Sequence, residues 1–159
     1  MYNGRIAMEV KDIVKDAVTI SEDASFREAV SAMMNGKTNT LLVVDEEGKL
    51  VGEVSVADLL DGVVPEYLDG DSIAAHFATE EMFESAIADA EEKQVQFFMS
   101  HDFSTVEMDD GLMAVAATAI AHQRARIPVI DKDGRPIGII SRQGLKHIIA
   151  KFLGIKDSA

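Results

Sequence analysis

Two short stretches of this 159-residue sequence carry residue types and spacings with chemical potential. The first is Gly52-Glu53-Val54-Ser55-Val56-Ala57-Asp58. A glycine at a strand end lets another group come close to the backbone, and a serine that opens a helix lies where free amides and the helix dipole favour an anion. Asp58 falls one turn into that helix. Its carboxylate can accept two hydrogen bonds at once, as the adjacent hydroxyls of a ribose would offer. The same pair also makes a plain capping box worth about 1 kcal/mol, and the residue types alone leave both readings open. The second stretch, Gly138-Ile139-Ile140-Ser141-Arg142-Gln143-Gly144, repeats the pattern with glycine in place of the acid. Arg126 adds a guanidinium whose fixed fork suits a phosphate, although a strand-end arginine can equally be a solvated charge. Arg124 and Arg142 are secondary candidates at helix ends.

Other chemistries lack a constellation. His76, His101, His122 and His147 show no i, i+4 pair, and with no cysteine there is no thiolate site, so no metal centre is expected. Neither a phosphate-binding Gly-rich loop nor a nucleophile elbow occurs, and the chain is expected not to be an enzyme. A net charge of −13 and a pI near 4.6 argue against a nucleic-acid partner, which needs a basic footprint. The charge is uneven. Residues 1–63 net −6, residues 64–96 net −8 and residues 97–159 net +1, so local positive charge for an anionic ligand exists only in the last third. No run approaches the roughly 20 apolar residues of a membrane span, and the absence of cysteine fits a reducing compartment; a soluble, cytoplasmic chain is expected.

The elements that must position these groups come from an internal duplication. A shift of 86 residues lays Asp45–Ser55 over Asp131–Ser141, and the register extends without a gap back to Asp16 over Asp102 and on to Leu59 over Leu145. Each copy reads as β-α-β-β-α. In the first, a strand at Val18–Ile20 leads to a helix from Phe26 to about Met34, capped by Ser25 and Glu28. A hairpin of Thr40–Val44 and Leu50–Ser55 follows, and Ser55 caps a second helix. The second copy predicts a strand over Thr105–Glu107, a helix over Leu112–His122, a hairpin of Ile127–Ile130 and Ile137–Ser141, and a helix over Arg142–Phe152 stopped by Gly154. Copies of some 50 residues bury little core alone, so the two are expected to pack about a pseudo-twofold axis.

This element order, the Gly-x-x-Ser-x-x-Asp pattern that is complete after the first hairpin and has Gly144 in place of the acid after the second, and the tandem duplication together resemble the cystathionine-β-synthase (CBS) domain pair, or Bateman module. The likeness covers repeats at about 8–62 and 95–153, with an acidic helical connector at 63–94, and implies one α/β CBS-pair domain over 1–159. The stretch Arg126-Ile127-Pro128-Val129-Ile130-Asp131 also resembles the family's second strand. The resemblance implies a regulatory, ligand-sensing module with an adenosyl ligand such as AMP, ADP, ATP or S-adenosylmethionine in a cleft between the repeats. It nominates Asp58 and Ser55 with Arg126 and the backbone around Ser104. The opposite cleft would draw on Ser141 with the backbone of Val18 and Thr19, but Gly144 and Thr40 stand where an acid and an arginine would be needed. One good site per chain is therefore expected. A homodimer and an effector protein of unknown identity are the implied partners. The alternative is a ligand-free dimerisation or protein-interaction module.

In the connector, Thr79 can cap a helix with Met82, Phe83, Ala86, Ile87 and Ala90 on one face and acids on the other. That helix is expected to pack on its own pair or on a symmetry mate. Partner docking, or a divalent cation on its acids, are the functional options.

Overall fold

The computed structural model describes residues 9–65, 76–122 and 126–156. The chain divides into two compact units: Val18–Asp102 forms one, and the residues ahead of Val18 join those from Phe103 onward to form the other.

In the Val18–Asp102 unit the order is β1 (Thr19–Ser21), α1 (Phe26–Gly36), β2 (Thr40–Val44), β3 (Leu50–Ser55), α2 (Val56–Val63) and α3 (Glu80–Ala90). Ser25 starts α1 by accepting the Glu28 amide at 3.1 Å. The return bond expected from Glu28 is absent among the described residues. Lys37, in the left-handed region at φ 50°, ends the helix by donating its amide to the carbonyls of the last turn. The β2–β3 hairpin turns on Asp45, whose Oδ1 accepts the amides of Glu47 and Lys49 at 2.9 and 3.0 Å. Gly48 supplies the positive φ of 80° that the turn requires. β1 runs parallel to β2 and β2 antiparallel to β3, with Thr40 opposite Ser55 and Leu42 opposite Glu53. One sheet face carries Leu41, Val43 and Val54 into a core with Phe26, Ala29, Met33 and Leu59. The period-2 alternation turns Thr40, Leu42, Glu53 and Ser55 to the other face.

The second unit repeats the plan with β4 (Val106–Glu107), α4 (Leu112–His122), β5 (Arg126–Ile130), β6 (Pro136–Ser141) and α5 (Arg142–Phe152). Asp131 turns its hairpin as Asp45 does, accepting from Asp133 and Arg135 at 2.9 Å each, with Gly134 at φ 84°. Its core gathers Val106, Val115, Ile127, Val129 and Ile140. Gly154, at φ 74°, follows α5 where the sequence placed its stop.

In each sheet the edge formed by the last strand, β3 or β6, is covered by the stretch of chain that precedes the other repeat. Ser100 pairs with Glu53 through two backbone hydrogen bonds of 2.7 and 3.0 Å, and Lys15 pairs with Ile139 through two of 2.8 Å. Such cover removes an unpaired strand edge. The glycines of the two motifs make it possible. A Cβ on Gly52 would meet Met99 Sδ at 2.7 Å and the Ser100 carbonyl at 2.9 Å; one on Gly138 would meet Val14 Cγ1 at 2.3 Å and the Lys15 carbonyl at 2.7 Å. The close approach expected at these glycines is thus made by the chain itself. Val10 and Ile13 follow into the core of one unit, and Val95 into that of the other. Ser100 and Lys15 are 85 apart whereas their partners are 86 apart, and the short 3-10 turns Val10–Asp12 and Val95–Phe97 also differ by 85. The 86-residue register therefore does not extend into the covering segments. It slips by one residue between these covering segments and the first strands.

The connector helix α3 forms as the spacing predicts, with Thr79 Oγ1 accepting the Met82 amide at 3.2 Å. It packs on α2 of its own unit, burying Ala90 and half-burying Ala86 and Ile87, and leaves Met82 and Phe83 exposed. The connector's residues 66–75 lie outside the described residues.

Candidate ligand site

Ser55 ends β3 in extended conformation and starts α2, so its hydroxyl and the carboxylate of Asp58 share the first helical turn. The Ser55 hydroxyl accepts the Asp58 amide at 3.1 Å. Asp58 Oδ2 in turn accepts the Ser55 amide at 2.8 Å and the Ser55 hydroxyl at 3.0 Å. The capping box is complete. Its bonds use Oδ2 alone, and Oδ1 takes part in none of the hydrogen bonds seen among the described residues. Both residues are half-buried, within reach of solvent. The carboxylate can therefore take a hydroxyl on Oδ1 without loss. A second one on Oδ2 would displace the Ser55 hydroxyl, which is then free to donate outward. Across the hairpin, Thr40 is the register partner of Ser55 on the same sheet face.

In the second unit Ser141 caps α5 through the Gly144 amide at 3.2 Å. Gly144 is buried, and a Cβ there would meet Ile13 Cβ at 3.3 Å and the Ile13 carbonyl at 3.4 Å. Any side chain on this position needs Ile13 to give by a few tenths of an ångström. The covering segment thus packs tightly where the first copy carries its acid. Arg126 is the register partner of Ser141, and alternation places both on the sheet face away from the core. Ser104 lies half-buried, two residues ahead of β4. Arg142 is the first residue of α5 and is exposed. Val18 and Thr19 belong to the unit of Asp58; the Val18 carbonyl accepts the Leu42 amide at 2.9 Å, and Thr19 is exposed in β1. Arg124 lies outside the described residues.

One cluster carried no signal in the sequence reading. Glu107, which ends β4, and Asp109 and Asp110 just beyond it bring carboxylate oxygens within 4.8 Å of one another. Asp110 Oδ2 there accepts the Glu107 amide at 2.8 Å, which closes the loop locally. Three acids within four residues were visible, but their convergence depends on this turn. Among the described residues, no helix is long and apolar enough to cross a membrane.

Two repeats of one β-α-β-β-α plan, each ending its hairpin in a serine-capped helix, define the class of the protein as a duplicated α/β module. The family model described as CBS domain matches residues 10–64 and 93–151, and the chain belongs to the CBS domain family as a CBS pair, or Bateman module. An uncharacterised protein of Methanocaldococcus jannaschii, MJ1426, is 27% identical over 154 residues, covering 90% of this chain and 91% of its own. A homoserine O-acetyltransferase of Methanohalobium evestigatum is 26% identical, but this chain spans only 24% of its length. The solved CBS-pair protein CBSX2 of Arabidopsis thaliana shares the fold at TM-score 0.72 and 21% identity, over 95% of this chain and 100% of that one. A structure of CBSX2 in complex with AMP matches at TM-score 0.67 and 22% identity, over 92% and 99%.

Proposed function

We propose that this CBS pair is a regulatory module that binds an adenine nucleotide or an adenosine derivative, with no catalysis of its own. The observation that carries the reading is the Ser55–Asp58 pair, which presents a half-buried carboxylate with one oxygen unengaged at a helix N-terminus. Asp58 would hold the ribose hydroxyls and Ser55 would turn its hydroxyl to the ligand, while Arg126, with the backbone around Ser104, supplies the phosphate contact. Ser141, Val18 and Thr19 would serve an opposite site, and the packing of Ile13 on Gly144 argues against a ribose anchor there. The similarity to a CBS-pair protein crystallised with AMP supports the ligand class; AMP, ADP, ATP and S-adenosylmethionine all present the ribose and adenine this reading uses. A ligand of this kind regulates only through different affinities for two conformations, whose balance an effector protein or a second copy of the chain then reads.

The second reading, a ligand-free interaction module that forms a homodimer in the cytoplasm, is favoured by apolar residues exposed on the helices, such as Met34, Leu60, Ile120 and Ile149. Thermal melting decides between the two. Binding to the folded state alone must stabilise it, by about 2.7 kcal/mol at a hundred times the dissociation constant. A midpoint raised by millimolar AMP, ADP, ATP or S-adenosylmethionine is the expected result. A midpoint that none of the four moves overturns the sensing role.

A further inference from the structure

Among the described residues Glu53 is the one charged side chain that is buried, at 5% exposed, and it belongs to neither hydrophobic core nor to the Ser55–Asp58 capping box. It stands in β3 two residues before Ser55, so alternation puts both side chains on the sheet face turned away from the core. Its backbone is fixed by the paired bonds to Ser100 of 2.7 and 3.0 Å, which sets the point from which the carboxylate projects. Leu42, its register partner, is 2% exposed and also outside both cores, so this part of the face is enclosed rather than open to water. The 86-residue repeat sets Ile139 at the corresponding place, with Pro128 as its register partner. The second copy therefore builds the same hairpin with an apolar residue where the first has an acid. Burial strips water from a carboxylate, and an apolar side chain of similar volume often serves stability as well or better. Folding alone gives no reason for the acid.

We infer that Glu53 is a specificity-determining residue of the proposed nucleotide site, accepting a hydrogen bond from the 6-amino group of the adenine base. The inference rests on the nucleotide reading and adds which end of the ligand lies over β3. With Ser55 and Asp58 on the ribose, the two residues of strand back to Glu53 span about 6.7 Å, a step of the size that separates a ribose from the edge of its base. Like charge turns the phosphate away from Glu53, which leaves the base to meet it. An ionised carboxylate only accepts hydrogen bonds, and the 6-amino group is the donor of an adenine whose ring nitrogens all accept. Glu53 already has a partner in this structure, but a carboxylate offers about four acceptor positions and can take a further donor. In an enclosed place such a bond is stronger than in water, so it discriminates between bases.

Isothermal titration of the parent with AMP and ATP, and with purine riboside mono- and triphosphate, which lack only the amine, reads this bond. AMP or ATP is expected to bind at least about tenfold tighter than its amine-free counterpart, as a charge-assisted bond requires. Glu53→Ile copies the residue at Ile139, and it is expected to fold with the parent's stability in urea or better and to lose the preference for the amine. Equal binding of the two bases by the parent overturns the assignment while leaving the nucleotide reading in place, and needs no variant to show it. A preference that persists in Glu53→Ile also overturns it, since another group then reads the amine. Binding of none of the four nucleotides by the parent overturns the nucleotide reading itself.

Discussion

Replacing Gly138 by alanine tests the claim that each motif glycine exists for the covering segment. The new Cβ would stand 2.3 Å from Val14 Cγ1 and 2.7 Å from the Lys15 carbonyl oxygen. The valine has little freedom to turn away, and the carbonyl is fixed by the paired Lys15–Ile139 hydrogen bonds of 2.8 Å. Overpacking of this kind costs about 1–3 kcal/mol. If the segment lifts instead, two backbone bonds are lost at about 1 kcal/mol each. Val10 and Ile13, 1% and 5% exposed, would then lose burial worth about 1.5–3 kcal/mol apiece. Against this, alanine restricts the unfolded chain and returns about 0.4–1 kcal/mol. The balance is a destabilisation of about 2 kcal/mol or more, a large share of the roughly 5–15 kcal/mol of a typical domain. Urea denaturation measures it, and amide hydrogen exchange should show Lys15 and Ile139 losing protection first. A variant within about 0.5 kcal/mol of the parent would refute the reasoning, since surface changes with no steric role fall in that range.

Gly62→Ala should also destabilise, by about 1–2 kcal/mol in chemical denaturation, although helix propensity alone would reward it by nearly 1 kcal/mol. The Phe98 ring, edge-on to Phe26 at 5.3 Å, comes within 2.2 Å of the added Cβ; a stabilised variant would contradict this packing. Ser55→Ala and Ser141→Ala each remove one cap and should cost a similar 0.5–2 kcal/mol in the same assay. Titration should then separate them, with nucleotide affinity falling for Ser55→Ala and staying unchanged for Ser141→Ala.

The elements were largely legible in the sequence because their signals are local. Ser25, Ser55, Thr79 and Ser141 each announce a helix start through a side chain that reaches an amide three residues on, and Asp45 and Asp131 announce their hairpins through carboxylates that accept amides two and four residues on. The helices Leu112–His122 and Arg142–Phe152 fall where the spacing put them. Strand ends moved by a residue, as at Thr19–Ser21, since pairing rather than composition ends a strand. The covering segments were invisible. Lys15 and Ser100 contribute single bridges to partners distant in the sequence, with no periodicity to mark them, and the one-residue slip lies in that stretch. The purpose of Gly52 and Gly138 was read as close approach, but what approaches could come only from the structure. For the ligand groups, the chemistry of Ser55 and Asp58 was legible, whereas the fact that Oδ2 is engaged and Oδ1 is not depends on a rotamer that no spacing encodes.

The central claim, one adenosyl site per chain anchored by Asp58, is tested most directly by isothermal titration of the parent and of Asp58→Ala with AMP, ADP, ATP and S-adenosylmethionine. The carboxylate's charge-assisted bonds are worth about 1.5–3 kcal/mol, or roughly ten- to 150-fold in the dissociation constant. The account predicts one site per chain for at least one of these ligands, weakened by that factor in the variant. Two tight sites per chain, or an Asp58→Ala variant that binds as the parent does, would contradict it.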